Sequence, residues 1–518
     1  MGLLLGLDAG TTSLKAGLYD ESGAARAVAV EEYRLLTPSP DRVELDPARY
    51  WEAAGTAVRQ AMATSGAGPA DVTAMAVSSQ GETLVAVAAD GRPLGPAIVW
   101  LDNRADDEAA ELAARFDPSE VYERTGVPAV VPTWPACKLL WLRRHEPERF
   151  GAAARFLLVE DLLLHRLTGR FVTEGGVQST SLLYDIRRDA WWPAMLEAVG
   201  LEPERLPELA RPGSVVGRLS GRAAAELGLA AGIPVVAGGM DQGAGAVGVG
   251  NVGSGLVSES TGGALTLQAS VPRPDGDPSR QTPVYVHSAP EGYLYCPVCP
   301  TGGMALTWFR DRFGEDLVAR SRAEGRSAYD LLTELAAAVP PGSDGLVMLP
   351  HLSGAFSPEY EPRARGVFFG FTLGHERGHF VRAVLEAVAF MLRRNLELLT
   401  VAGAEAVEIR SHGGGARSPL WNQVKADVCG LPVVTLEGAD AAVLGDAMLA
   451  GVAVGAFRDL AEATEAMVRP AARYEPRPAA VAVYESSYRR YVELFDVLRP
   501  LFAADPSPAA VVGRGAGE

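Results

Sequence analysis

Twice in this chain an apolar strand runs into a short turn of glycine and hydroxyl residues and returns at once as a second strand. The first copy has a strand over 3–7 (LLLGL), a turn over Asp8-Ala-Gly-Thr-Thr-Ser13 and a return over 14–20. The second leads in over 255–258, turns at Glu259-Ser-Thr-Gly-Gly263 and leaves over 264–269. Strands and helices alternate after each copy, which predicts two α/β domains with partly parallel sheets. A length of 518 residues suits two large domains or three smaller ones. The expected division is 1–249 and 250–500, with 501–518 as a disordered tail.

Periodicity supplies the elements that carry the remaining motifs. A helix is expected over 49–64. A strand over 72–78 leads into Gln80-Gly-Glu-Thr83, and another follows over 84–88. Helices are expected near 105–115, 136–145 and 158–167. A strand over 233–238 ends in Gly239-Met240-Asp241-Gln242, ahead of a Gly/Ala-rich helix over 243–249. A short strand over 406–411 precedes Gly413-Gly414-Gly415-Ala-Arg-Ser418 and a helix from about 419.

The formal charge of -17 argues against nucleic acid or an anionic membrane as partner. It does not argue against ATP, whose binding depends on backbone amides, Mg²⁺ and a few local cations. Of 47 basic residues only Lys15, Lys138 and Lys425 are lysine. Genome composition explains such a bias, but Lys15 stands out just beyond the first turn. The N-terminus lacks the basic region of a secretory signal, and Gly6 stands where a myristoylation motif wants Ser or Thr. No uncharged apolar stretch approaches the ~20 residues of a membrane span. Four cysteines over this length fit a reducing cytosol, so a cytoplasmic location is expected. Cys296-Pro-Val-Cys299 is a lone CxxC without the second pair a zinc site wants.

Each turn can hold phosphate. Gly10 lets the backbone approach an anion, and Thr11, Thr12 and Ser13 add hydroxyl donors beside their N–H groups. Asp8 at a strand end can hold Mg²⁺ through water, and Lys15 adds charge. Ser260-Thr261-Gly262-Gly263 offers a second clamp. Either turn alone also reads as an ordinary hairpin; the pair is more informative. The 413–418 stretch is a strand–glycine–helix junction suited to a nucleotide. Asp241, at a strand's C-terminal end, can act as a base: a carboxyl titrating near ~4 is ionised at pH 7 and accepts a hydroxyl proton. The competing reading is a cap on the next helix. Gln242 would orient substrate. His375-Glu-Arg-Gly-His379 fits the zinc-protease pattern, but Gly374 and Gly378 place it at a helix start, where the two imidazoles do not share a face.

Five segments, in order, resemble the FGGY carbohydrate kinases, the xylulokinase branch most. They are GLDAGTTSLKAGLYD (6–20), GRPLGPAIVWLDNRA (91–105), AGGMDQGAGAVGVGN (237–251), LPHLSGAFSPEYEPRARGVFFGFTLGHERGHFVRAVLEAVAF (349–390) and IRSHGGGARSPLWNQVKADVCGLPV (409–433). The resemblance implies two actin-like (ribonuclease H-like) ATPase domains around a central cleft. It implies ATP and Mg²⁺ as cofactors and phosphorylation of a hydroxyl of a small sugar or polyol. Asp241 would be the catalytic base and Asp8 the Mg²⁺-associated residue. Thr11, Thr12, Ser13, Lys15, Thr261, Gly262, Gly303, Thr307, Gly414, Gly415 and Ser418 would bind ATP. Gln80, Gly81, Glu82, Asp102, Asp241 and Gln242 would bind substrate.

The substrate motifs depart from either parent. Xylulokinases read Gln-Met-His-Gly and Asp-Asn where this chain has Gln80-Gly81-Glu82-Thr83 and Asp241-Gln242. Glycerol kinases read Gln-Arg-Glu-Thr and Asp-Gln, and have a Tyr near Thr133-Trp134. Gly81 in place of that Arg is expected to remove a cation and leave space, favouring a ketopentose such as xylulose. A polyol kinase of the glycerol or erythritol type and a non-catalytic sugar sensor are the alternatives. A homodimer stays open.

Overall fold

The computed structural model describes residues 2–275, 277–290, 292–438 and 440–504. Packing divides the chain into two units. The first comprises 1–254, 270–295 and 437–469, and the second comprises 255–269, 296–436 and 470–518. Two stretches from beyond residue 250 therefore pack with the N-terminal part.

The strands that build the two main sheets are β1 (Leu3–Ala9), β2 (Ser13–Tyr19), β3 (Ala25–Glu32), β4 (Val72–Ser79), β5 (Val215–Arg218), β6 (Pro234–Met240), β7 (Leu256–Thr261), β8 (Leu265–Val271), β9 (Glu408–His412), β10 (Val433–Leu436) and β11 (Pro470–Tyr474). The helices used below are α1 (Ala48–Ser65), α2 (Pro135–His145), α3 (Val159–Thr168), α4 (Gly175–Gln178), α5 (Asp241–Gly248), α6 (Met304–Phe313), α7 (Arg377–Val401), α8 (Pro419–Cys429) and α9 (Ala441–Ala453).

In the first unit the spatial order is β5–β6–β4–β1–β2–β3. β1, β4 and β6 are mutually parallel, while β1–β2–β3 is an antiparallel meander. β1 is apolar along nearly its whole length because both its faces are covered. The sheet packs against α1, α3 and α9. α5 and α9 meet backbone to backbone. A Cβ on Gly248 would lie 1.8 Å from the Ala441 carbonyl oxygen, and one on Gly445 1.9 Å from that of Ala244. A Cβ on Gly6 would lie 2.0 Å from the Val443 carbonyl oxygen. Gly248, at the end of the glycine-rich run after Asp241, thus serves close packing.

In the second unit β8–β7–β9–β10–β11 form a mixed sheet with β7, β9 and β10 parallel. Both expected hairpins are present, as β1–β2 and β7–β8. Their strands run longer than the apolar pattern: Asp8 pairs with Lys15, and Thr261 with Leu265, inside the ladders. Asp8, Glu259, Ser260 and Thr261 are therefore strand residues, and the turns shrink to 10–12 and 262–264.

α7 starts at Arg377 with Glu376 as N-cap. His379 Nδ1 accepts the Glu376 N–H at 3.0 Å, and its Nε2 lies 3.1 Å from Asp344 Oδ2. The His-Glu-x-x-His pattern therefore straddles a helix start, and no group of three or more potential metal ligands occurs among the described residues. Cys296 and Cys299 are both buried. Burial pushes Cys299 up to about 12, and its Sγ lies 3.3 Å from the Ser357 carbonyl oxygen. No helix of the described residues is long and apolar enough to cross a membrane. The last helix, Pro478–Ala504, takes up the first residues of the expected tail, and 505–518 lie outside the described residues.

Candidate active site

Parallel strands end at one edge, so the residues that follow them gather there. The register pairs Asp8 and Gly239 with Ser78, and Ala9 and Met240 with Ser79. This brings together the Gly10–Ser13 turn, the Gln80–Thr83 loop and Asp241–Gln242 in the first unit.

The first turn is braced from within. Gly10 N–H donates to the Ser13 carbonyl at 3.0 Å and Tyr33 N–H to the Thr12 carbonyl at 2.9 Å, while the Tyr33 hydroxyl donates to Gly10. Trp100 Nε1 donates to Thr11 Oγ1 at 2.9 Å. Thr12 is exposed. Lys15 faces Asp8 across the ladder and donates to Asp440 at 2.6 Å. Asp8 is 7% exposed, and its Oδ1 has no hydrogen-bond partner. Burial pushes the Asp8 carboxyl up to about 6 against the pull of Lys15.

Asp241 is the first residue of α5, and its Oδ1 accepts the Gln242 N–H at 2.7 Å. Burial, then the nearby charge of Asp8, push its carboxyl up to about 8, with Glu82 adding to the rise. The expectation of a group ionised well below neutrality is thereby corrected: low-dielectric surroundings and neighbouring carboxylates disfavour another negative charge.

Several buried acids join this edge without a signal in the sequence. Asp446 arrives on α9, accepts the Ser78 hydroxyl at 2.8 Å and keeps Oδ1 unpartnered. Glu160, on α3, accepts Gly239 N–H at 2.9 Å and keeps Oε2 unpartnered. Glu174 accepts the first N–H groups of α4. Burial raises all three carboxyls, Glu174 to about 7. An acid whose folded-state pKa lies above its unfolded value holds its proton longer when folded, so stability declines as pH rises between the two values. With Asp8 near 6, Glu82, Asp161 and Glu174 near 7 and Asp241 near 8, that window runs from about pH 4 to 8. The unliganded protein is expected to melt at a lower temperature at pH 8 than at pH 5.5. A midpoint that rises over this interval in calorimetry would contradict the assignment.

The 80–83 loop is tightly held. Gln80 is buried; its N–H donates to Ala9, its Nε2 to the Tyr50 hydroxyl at 2.9 Å, and its Oε1 has no partner. Glu82 has φ +53°, a left-handed conformation that costs a residue with a Cβ of order 1–3 kcal/mol. Burial pushes its carboxyl up to about 7, opposed by Lys138. Lys138 Nζ donates to the carbonyls of Glu82 at 2.9 Å and Val99 at 3.0 Å. Two expectations change here. Gly81 leaves no space, because a Cβ there would lie 2.6 Å from Thr180 Oγ1 and 2.8 Å from its Cγ2. Asp102 has no open carboxylate: it is fully buried, and accepts from Arg104 Nε at 2.8 Å, Arg104 Nη2 at 2.7 Å and Val43 N–H at 2.6 Å. It anchors the 102–104 loop through a bidentate ion pair. Trp134 is the N-cap residue of α2, its Nε1 bonded to the Ala129 carbonyl.

In the second unit the nucleotide candidates gather around the β7–β8 turn. Thr261 is buried: its Oγ1 donates to Glu259 Oε2 at 2.7 Å and accepts from Lys425 Nζ at 3.0 Å. Lys425 also donates to Glu259 Oε1 at 2.6 Å, and neither side chain is exposed. The Thr261 hydroxyl is thus engaged internally, so a phosphate here would meet backbone N–H groups and Gly262–Gly263. Gly303 precedes α6 and donates its N–H to the Gly262 carbonyl at 2.8 Å; a Cβ on Gly303 would lie 2.4 Å from that oxygen. A Cβ on Gly415 would lie 2.6 Å from Thr261 Cβ, so glycine lets the 413–415 loop lie against the turn. Gly414 is the N-cap residue of the 3₁₀ turn Gly415–Arg417 between β9 and α8, and Ser418 caps α8 through Trp421 N–H at 3.3 Å. Thr307, one turn into α6, bonds Tyr329 at 2.9 Å.

Residues 3–248 match the N-terminal domain, and residues 260–454 the C-terminal domain, of the FGGY family of carbohydrate kinases. The chain belongs to this family. A xylulose kinase of Escherichia coli (strain K12) is 30% identical over 502 residues, covering 97% of this chain and 100% of that protein. A gluconokinase of Bacillus subtilis (strain 168) is 28% identical over 496 residues, covering 96% of each. Among solved structures, xylulose kinase from Rhodospirillum rubrum superposes with a TM-score of 0.88 at 32% identity, covering 97% of this chain and 100% of that one. The protein is therefore a carbohydrate kinase of mixed α/β two-domain fold, in a family whose sugar kinases use ATP.

Proposed function

We propose that this kinase transfers the γ-phosphoryl group of ATP to a hydroxyl of an uncharged small sugar or polyol, a ketopentose such as xylulose first among them. The observation that carries this reading is the acidic strand edge of the first unit. Asp8, Glu82 and Asp241 gather there, while Lys15 is paired to Asp440 and Lys138 is buried against two carbonyls. Asp241, ionised, takes the proton of the attacking hydroxyl, and Gln242 and Glu82 hold other hydroxyls of the substrate. Gln80 offers a buried carbonyl oxygen without a partner. In the first unit the Gly10–Ser13 turn offers donors for phosphate oxygens; in the second unit the turn at Thr261–Gly262, with Gly303, Thr307, Gly414, Gly415 and Ser418 about it, is the candidate nucleotide surface. The unpartnered Oδ1 of Asp8 fits a hydrated Mg²⁺ carried in with the nucleotide, and such an ion would neutralise charge on the phosphates.

Relatives named for xylulose and for gluconate are similarly distant, so charge has to decide between them. An aldonate carboxylate ~6 Å from any one of these carboxyls in its ionised form is disfavoured by roughly 3 kcal/mol at an effective dielectric near 20, about 100-fold. The polyol reading keeps support from Glu82 with Gln242, the pair shared with glycerol kinases. A coupled ADP-release panel of xylulose, ribulose, erythritol, glycerol and gluconate tests it. The expected order places neutral substrates at least ~100-fold above gluconate in kcat/KM. Gluconate or glycerol as the best substrate would overturn the reading.

A further inference from the structure

The Glu82 loop keeps its shape through side chains that come from elsewhere in the first unit. Glu82 N–H donates to Thr180 Oγ1 at 3.1 Å, and its carbonyl accepts from Lys138 Nζ at 2.9 Å. Thr83 N–H closes back onto the Gly81 carbonyl at 2.6 Å, which puts Glu82 at the centre of a three-residue turn. Thr180 and Lys138 are fully buried. The Thr180 hydroxyl donates its single proton to the Val177 carbonyl at 2.7 Å, so a lone pair is what faces Glu82 N–H. A glutamate does not keep φ +53° on its own; its surroundings must hold it there. Thr180 also blocks its neighbour. A Cβ at position 81 would lie 2.6, 2.8 and 2.9 Å from Thr180 Oγ1, Cγ2 and Cβ.

We propose that Thr180 is a positioning residue that sets substrate selectivity: its hydroxyl pins Glu82 in the left-handed turn, and its bulk keeps position 81 free of any side chain. The selectivity part rests on the reading of Glu82 as a substrate-binding residue. Position 81 then adds no cation beside Asp241, and Glu82 is the acidic group this loop contributes. That arrangement favours neutral substrates with adjacent hydroxyls, from which one carboxylate can accept a pair of hydrogen bonds.

Two changes separate hydroxyl from bulk. Thr180→Val keeps the shape and removes the acceptor; Thr180→Ser keeps the acceptor. In Thr180→Val, amide exchange at Glu82 is expected to quicken ~5–10-fold, and KM for the best neutral substrate to rise by a similar factor while KM for ATP stays put. Thr180→Ser should hold both within about twofold. Equal exchange at Glu82 in wild type and Thr180→Val overturns the proposal, and so does a sugar KM that does not move. If Thr180→Val does not fold, Gly81→Ala answers the question. It should raise the sugar KM, and Thr180→Gly should rescue it; absence of rescue overturns the steric half. A wild-type enzyme inactive on every sugar and polyol overturns the functional reading and the selectivity claim with it, while the exchange comparison still decides whether Thr180 holds the turn.

Discussion

Asp241→Asn should lower turnover by at least ~10³-fold while ATP affinity stays within about twofold. Asparagine has the same shape, and its Oδ1 can still accept the Gln242 N–H that Asp241 accepts at 2.7 Å. It cannot take a proton. Nor should the variant be less stable, because burial and Asp8 already oppose a charge at this position. Loss of activity in a well-folded protein then isolates the chemical role. The wild type carries a further check. Only the ionised carboxylate is a base, and the free enzyme's carboxyl is pushed up to about 8. So kcat/KM should climb with pH through that region, and nucleotide-bound enzyme should reach its plateau lower if added cations draw the carboxyl down. Near-normal turnover in Asp241→Asn would remove the residue from this role.

Lys425→Met should cost about 3–5 kcal/mol of stability, read from urea denaturation. Lys425 and Glu259 are both wholly buried and 2.6 Å apart, and Thr261 and Ser411 complete their hydrogen bonds. Removing the ammonium leaves a carboxylate without a counter-charge in the core beneath the β7–β8 turn. Glu259→Leu combined with Lys425→Met should recover most of the loss, since an apolar pair carries no desolvation penalty. A single variant within ~1 kcal/mol of wild type would show that the pair is not what supports Thr261.

Lysine usage shows both what the amino-acid pattern discloses and where it stops. Three lysines among 47 basic residues read as a compositional bias. In the fold each of the three sits where a compact ammonium is matched: Lys15 to Asp440, Lys138 to two carbonyls, Lys425 to three oxygens. At the two wholly buried sites, Lys138 and Lys425, the ammonium's three donors meet two and three oxygens. The hairpin turns, the strand before Asp241 and the helix start at Arg377 were legible because local chemistry dictates them: glycine and hydroxyl residues at turns, period-two strands, a cap before a helix. Asp446 was not legible, because α9 reads as an ordinary apolar helix until β1 and β4 pack against it. The crowding at Gly81 was not legible either, since Thr180 stands 99 positions away in the chain and only tertiary packing brings its side chain there. Asp102 looked available because its partner, Arg104, is an unremarkable neighbour until both are buried.

The return of α9 to the first unit also has a consequence during synthesis. Lys15 finds Asp440 across a separation of 425 residues, and Ser78 finds Asp446 across 368. A ribosome adding roughly 5–20 residues per second needs about 20–90 s to make the chain between these partners. Throughout that interval the strand edge of the first unit lacks its covering helix, and the backbone surfaces of Gly6 and Gly248 stay uncovered. Closing so long a loop is slow compared with forming the local hairpins. A chain cut short before residue 440 would lack the partners of Lys15 and Ser78 and the helix that packs on Gly6 and Gly248.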